Sequence, residues 1–227
     1  MVKRSADSQA DGQVLIKLTD HGGFDQSNTR FGWGNLPEES GFCPVEYLGT
    51  TPSERRVGQL WDQLLLSGDE ANPASALRIL DDRVNSVAML VSGHQANRLL
   101  VGLKNEKLRT PIGSHGEGMR RLLNIAIAIS TVKGGVLLVD EIDTGLHYSV
   151  LADMWKLVIG TAIKNDIQVF ATTHSLDCLR GLNEACQANP EYAQEISLQT
   201  IDRKLPQSID TDAEGLAASL AIGVEVR

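Results

Sequence analysis

Aromatic residues are scarce. Phe, Trp and Tyr together make up 4% of the 227 residues, too few for a platform on which single-stranded nucleic acid stacks. Cysteine is scarce too. Cys43, Cys178 and Cys186 are odd in number and lack metal-ligand spacing, which excludes a disulfide framework and points to reduced structural thiols. No apolar run approaches the ~20 residues of a membrane span, and no signal-peptide pattern opens the sequence, so a cytoplasmic chain with no membrane partner is expected. Positive charge is in deficit. With 21 Lys and Arg against 29 Asp and Glu, the net charge is -8 and the pI about 5.1. Such a chain does not attract nucleic acid through its overall field, although a local patch stays open. What is present is 42% hydrophobic residues, enough for one domain with a real core.

The most informative stretch runs from Gly135 to His147, Gly-Val-Leu-Leu-Val-Asp-Glu-Ile-Asp-Thr-Gly-Leu-His. An apolar run without polar alternation suits a strand covered on both faces. Two carboxylates follow it, Asp140 and Glu141. Charge at a strand end is costly unless something there needs it, and ligands of parallel α/β sheets sit at such ends. Asp140 is therefore a candidate Mg²⁺ ligand, and Glu141 a candidate base for an attacking water. The plainer alternative is a strand running into an acidic turn. A second apolar run, Gln168-Val-Phe-Ala-Thr-Thr-His174, ends in a histidine that is either structural or functional. Upstream, Gly113-Ser-His-Gly-Glu-Gly-Met-Arg-Arg121 reads as a glycine-rich turn opening an apolar helix. Its amides and helix N-terminus would make an anion site, or simply a capping loop. Arg120 and Arg121 read as solvated helix charges without a role.

Together these motifs, in this order, resemble the C-terminal lobe of an ABC-type ATPase, specifically the AAA-like, OLD-related ATP-binding proteins. The stretch Asp140 to His147 resembles a Walker B motif running into a D-loop, Ser114 to Arg121 a signature motif, and Thr172-Thr-His174-Ser a switch-histidine loop. The resemblance implies a P-loop NTPase-like α/β fold, mostly parallel sheet with flanking helices, and ATP and Mg²⁺ as cofactors. It makes Asp140 the metal ligand and Glu141 and His174 the catalytic residues. Ser114, Gly116, Glu117 and Gly118 would approach the γ-phosphate of a nucleotide held by another subunit. Asp143, Gly145 and His147 would line the D-loop at the dimer seam, and Asp143 could also cap the helix that follows. The partner implied is a second copy, head to tail, or a subunit carrying the Walker A lobe. Members of this branch are linked to DNA repair or phage defence, which keeps nucleic acid among the candidate partners.

One departure is large. No G-x-x-x-x-G-K-[ST] phosphate loop occurs in these residues. The chain is thus expected to be a second lobe over residues 42–227, preceded by a disordered or remnant segment 1–41, from a split, truncated or decayed ATPase. The competing expectation is a non-catalytic interaction module.

Periodicity predicts helices over residues 53–66, 73–80, 117–132, 147–159, 176–188 and 213–222. Strands are predicted over 14–18, 44–48, 84–90, 98–103, 136–139, 167–172 and 196–201. Trp61 reads as a core anchor.

Overall fold

A computed structural model describes residues 13–14, 31–32, 43–69, 71–92, 95–201 and 207–222. Strands β1 (Gln13–Val14) and β2 (Phe31–Gly32) pair antiparallel; the rest of the predicted 14–18 strand lies outside the described residues. Strand β3 (Val45–Leu48) leads into helix α1 (Glu54–Ser67). The Ser53 hydroxyl accepts the Arg56 amide at 3.3 Å and starts α1. Gly68, at φ 74°, ends it. The face of Val57, Leu60, Trp61 and Leu64 is buried, with Trp61 in the core. Helix α2 (Ala71–Leu77) follows, then the antiparallel strands β4 (Val84–Ser92), β5 (Gln95–Leu103) and β6 (Thr110–Pro111).

Helix α3 (Glu117–Thr131) is the axis of the molecule. Every residue from Arg121 to Ser130 is buried, and the helix packs against α1, α2, α4 and β3. Its mostly apolar residues place it in the core, and it carries Arg121, Asn124 and Ser130 inward with them. Strand β7 (Val136–Val139), helix α4 (Leu151–Lys164), strand β8 (Gln168–Ala171) and helix α5 (Leu176–Ala188) complete the α/β part. A hairpin of β9 (Leu198–Thr200) and β10 (Ile209–Thr211) precedes helix α6 (Ala213–Ala221). The predicted strand 196–201 thus pairs with β10 rather than joining the parallel sheet.

The central sheet is parallel, in the order β3-β7-β8, with Leu48, Val139 and Ala171 level with one another. Side chains alternate between its faces. One face, bearing Leu48, Leu137, Val139 and Val169, is fully buried. The other carries the level row Tyr47, Leu138 and Phe170, in which Tyr47 is 41% and Phe170 36% exposed. The apolar run in β7 predicted cover on both faces, yet its second face is only partly covered. Strand β8 is also an edge strand among the described residues. The amides of Gln168 and Thr172 donate to Gly135 and Val139 of the β7 side. In a parallel ladder the amides of Val169 and Ala171 therefore point outward.

Candidate functional site

The parallel register sets the site. With Val139 level with Ala171, the next residues, Asp140 and Thr172, emerge side by side. The Thr172 hydroxyl donates to Asp140 Oδ1 at 2.8 Å and accepts the Glu141 amide at 2.9 Å. One residue on, the Thr173 hydroxyl donates to Asp143 Oδ1 at 2.6 Å and accepts the Ser175 amide at 3.0 Å. Two adjacent hydroxyls thus tie the 140–143 segment to the loop that carries His174. His174 itself is exposed and makes no hydrogen bond or ion pair among the described residues.

Glu141 sits at φ 43°, in the left-handed region that side chains disfavour. Its carbonyl accepts from Arg121 Nη2 at 2.9 Å, and its Oε2 accepts from the Thr144 hydroxyl at 3.2 Å. Arg121 corrects the expectation of a solvated helix charge. It is 1% exposed, and its guanidinium also donates to the carbonyls of Gly49 and Asp140, both at 2.6 Å. Burial lowers its pKa, opposed by the carboxylates of Asp143, Asp140, Glu117 and Glu141. Its Nε–H is buried without a partner, which costs about 1–3 kcal/mol. Arg120 behaves as expected and pairs with Glu117 at 2.8 Å on the surface.

The glycine-rich turn is a 3-10 helix, Ile112–His115, closed by the Ser114 hydroxyl donating to the Pro111 carbonyl at 2.6 Å. Gly116, at φ 91°, then turns the chain into α3 with no side-chain cap. The amides of Glu117, Gly118 and Met119 precede the first intrahelical bond, made by the Arg120 amide to the Gly116 carbonyl. Uncapped amides at the start of a long helix are receptive to an anion.

This turn meets the 143–147 loop within the same chain. A Cβ on Gly118 would lie 2.9 Å from the Gly145 carbonyl, and one on Gly145, whose φ is 76°, would lie 2.7 Å from Glu117 Cγ. Gly118, Glu117 and Gly145 are thus packed together. Asp143 caps no helix. The residue that caps is His147, whose Nδ1 accepts the Ser149 amide at the start of a 3-10 turn, Tyr148–Val150, ahead of α4. His147 packs against exposed Tyr148 with ring centroids 4.2 Å apart and planes tilted by 39°.

Asp140 suits a hard cation in one respect. Thr172 orients one carboxylate oxygen and leaves the other open. No group of three or more His, Cys, Asp or Glu able to hold a metal occurs among the described residues. Beside the site, burial and then the Asp143 charge push the Cys178 thiol up to about 12. Thr172, Thr173, Thr144 and Arg121 were all missed as site residues. The Thr-Thr pair before His174 was the one available signal.

The family model described as "AAA domain, putative AbiEii toxin, Type IV TA system" matches residues 50–179. That is more than half of the sequence, and it contains every residue of the site just described except Gly49, which lies one position before it. The chain belongs to this family. A 111-residue stretch of the chain is 27% identical to an ATP/GTP phosphatase of Helicobacter pylori, spanning 48% of the chain but only 30% of that protein. A stretch of 112 residues is 28% identical to the uncharacterized protein MJECL11 of Methanocaldococcus jannaschii, spanning 49% of the chain and 98% of that protein. A solved structure from work on ATP-driven dimerization and DNA-stimulated activation of SMC ATPases matches with a TM-score of 0.50. It is 12% identical, and the match covers 76% of the chain and 98% of that structure. The AAA domain therefore has the α/β fold of the SMC ATPase head, a parallel sheet with flanking helices. No helix among its described residues is long and apolar enough to cross a membrane.

Proposed function

We propose that residues 42–227 form the second lobe of an ABC-type, OLD-related ATPase, with residues 1–41 a remnant segment, and that it hydrolyses ATP with Mg²⁺ in a head-to-tail cytoplasmic dimer. One observation carries this reading. The Asp140-Glu141 pair, the His174 loop and the uncapped start of α3 are drawn together by Thr172, Thr173 and the Gly118–Gly145 contact.

In this mechanism Asp140 holds Mg²⁺, which when bound neutralises charge on the phosphate oxygens. The Glu141 carboxylate, with Oε2 held by Thr144, accepts a proton from the attacking water. His174, unengaged among the described residues, contacts the γ-phosphate and responds to its loss. The amides at Glu117 and Gly118, with Gly116 and Ser114 beside them, receive the phosphate of a nucleotide on the partner. Asp143, Gly145 and His147 line the seam. The phosphate loop comes from outside these residues, and the edge that β8 leaves open among the described residues, with the half-covered sheet face, suits the strand and helix that would bring it. A role in DNA repair or phage defence follows from the resemblance, the latter being in keeping with a family described by a toxin–antitoxin system.

A second reading, a non-catalytic interaction module, is favoured by the lack of a G-x-x-x-x-G-K-[ST] motif in the sequence. Calorimetry and a phosphate-release assay separate the two. The purified chain alone is expected to bind ATP only weakly, since the amides and lysine that cradle β- and γ-phosphates are missing. Mixed with a phosphate-loop lobe of an ABC-type ATPase from the same cell, it is expected to gain Mg²⁺-dependent hydrolysis. Micromolar ATP affinity of the chain alone would refute the lobe assignment, and silence with every such lobe would favour the module.

A further inference from the structure

Glu141 is held in a backbone conformation foreign to its residue type. Three non-glycine residues among those described have positive φ, namely Asn105, Glu141 and Asp166. Asn and Asp enter this region readily because their short side chains bond locally. Glutamate is not among the residues that favour it, and the carboxylate here accepts from the Thr144 hydroxyl at 3.2 Å rather than from its own backbone. Such a conformation persists only where the surroundings impose it.

The surroundings are specific. Thr172 takes the amide of residue 141, and Arg121 Nη2 takes its carbonyl at 2.9 Å together with the carbonyl of Asp140 at 2.6 Å. The second arm of the same guanidinium reaches the Gly49 carbonyl at 2.6 Å, beyond the end of β3. A planar fork spans two strand ends in a way a single ammonium does not. We propose that Arg121 is a positioning residue: by bridging the carbonyls at the ends of β3 and β7 it locks Glu141 in the left-handed conformation and so aims its carboxylate at the attacking water. This rests on the base role given to Glu141 above. Because Arg121 hangs from the second turn of α3, the base is fixed to the same helix whose start would receive the partner's phosphate.

A double-mutant cycle on the full chain, read by urea unfolding, tests the lock without any nucleotide. Glu141→Gly removes the side chain that makes the conformation costly, so it is expected to raise the folding equilibrium constant about two- to fivefold. In an Arg121→Lys background residue 141 is already released, and the gain is expected to vanish. An equal gain in both backgrounds, or no gain with Arg121 intact, overturns the proposal. Arg121→Gln, which keeps two N–H donors without the charge, takes the place of the lysine variant should that one not fold. In an assembled, hydrolysing complex Arg121→Lys is expected to lower kcat about tenfold or more with KM within about twofold, as for a base that is present but misaimed. Unchanged kcat overturns the proposal while leaving the ATPase assignment intact. Failure of every assembly to hydrolyse ATP counts against that assignment and against the aiming role together, even where the cycle finds the two residues coupled.

Discussion

Replacing Gly118 with alanine puts a sign on the contact between the glycine-rich turn and the 143–147 loop. Gly118 is the second residue of α3 and has an ordinary helical backbone. On an open helix surface, Gly→Ala stabilises by up to about 1 kcal/mol. Here the new Cβ would lie 2.9 Å from the Gly145 carbonyl, against 3.4–4 Å for ordinary contact. That carbonyl is backbone and cannot swing aside. It belongs to a turn fixed by the Leu146 amide on the Asp143 carbonyl at 3.0 Å and by Thr173 on Asp143. Forcing such a group to move costs typically 1–3 kcal/mol. Set against the helix gain, the net is a loss of about 1 kcal/mol, which for a chain of this size lowers Tm by roughly 2–4 °C. Differential scanning calorimetry reads this directly. Gly113→Ala is the control, because a Cβ there meets nothing within 4 Å, and its effect is expected to stay within about 0.5 kcal/mol. Faster amide exchange at Gly145 and Leu146 should accompany the loss. A rise in Tm for Gly118→Ala would mean that the two segments do not touch, and the site would lose one of the contacts that assemble it.

Two further outcomes are expected. In a complex that hydrolyses ATP, Glu141→Gln should slow turnover by about 10²–10⁴-fold with nucleotide still bound, because the amide keeps the shape and loses the basicity; turnover within twofold of the parent would make Glu141 a surface acid. The Cys178 thiol, with an ordinary value of 9.0 and a folded value of about 12, keeps its proton in the folded state after the unfolded chain has lost it. Stability is then fully present below pH 9 and falls between pH 9 and 12 by up to about 1.4 kcal/mol per pH unit. Urea midpoints at pH 8, 9 and 10 for the parent and Cys178→Val check this: the parent should lose more, and parallel losses would show that Cys178 does not titrate differently on folding.

Much of the α/β frame was legible because it rests on local patterns. Helix α5 runs over the predicted residues, Ser53 caps α1 as read, and the apolar run at 136–139 is the central strand. The misses are non-local. Arg121 falls among apolar residues of α3, and a charge there reads as solvated; only the nearness of the Gly49, Asp140 and Glu141 carbonyls makes its burial tolerable. Thr172 and Thr173 are ordinary strand-end residues until the register of β7 and β8 sets their hydroxyls beside Asp140 and Asp143. The helix after Asp143 starts later than predicted, at Leu151, because Asp143 bonds across to Thr173 and leaves capping to His147. Strand β9 carries the strand signal, but nothing local told which partner it takes.

The same register explains why β7 looked like a strand covered on both sides. Its run Val-Leu-Leu-Val carries no polar position, and parallel sheets are normally buried on both faces. Helices α3 and α4 lie together, and the face bearing Leu137, Val139 and Val169 is closed. The opposite face keeps the apolar row Tyr47, Leu138 and Phe170, still partly open to solvent. At β8 that row meets an edge whose outward amides, at Val169 and Ala171, lack a strand partner among the described residues. Soluble proteins blunt free strand edges with charge, proline or a bulge, and Gln-Val-Phe-Ala has none of these. A strand built for the interior, leading into the His174 loop and left at an edge among the described residues, fits a sheet that is continued there. One added strand and its following helix would supply both the missing hydrogen bonds and the missing cover, on the side from which a phosphate loop would reach Asp140.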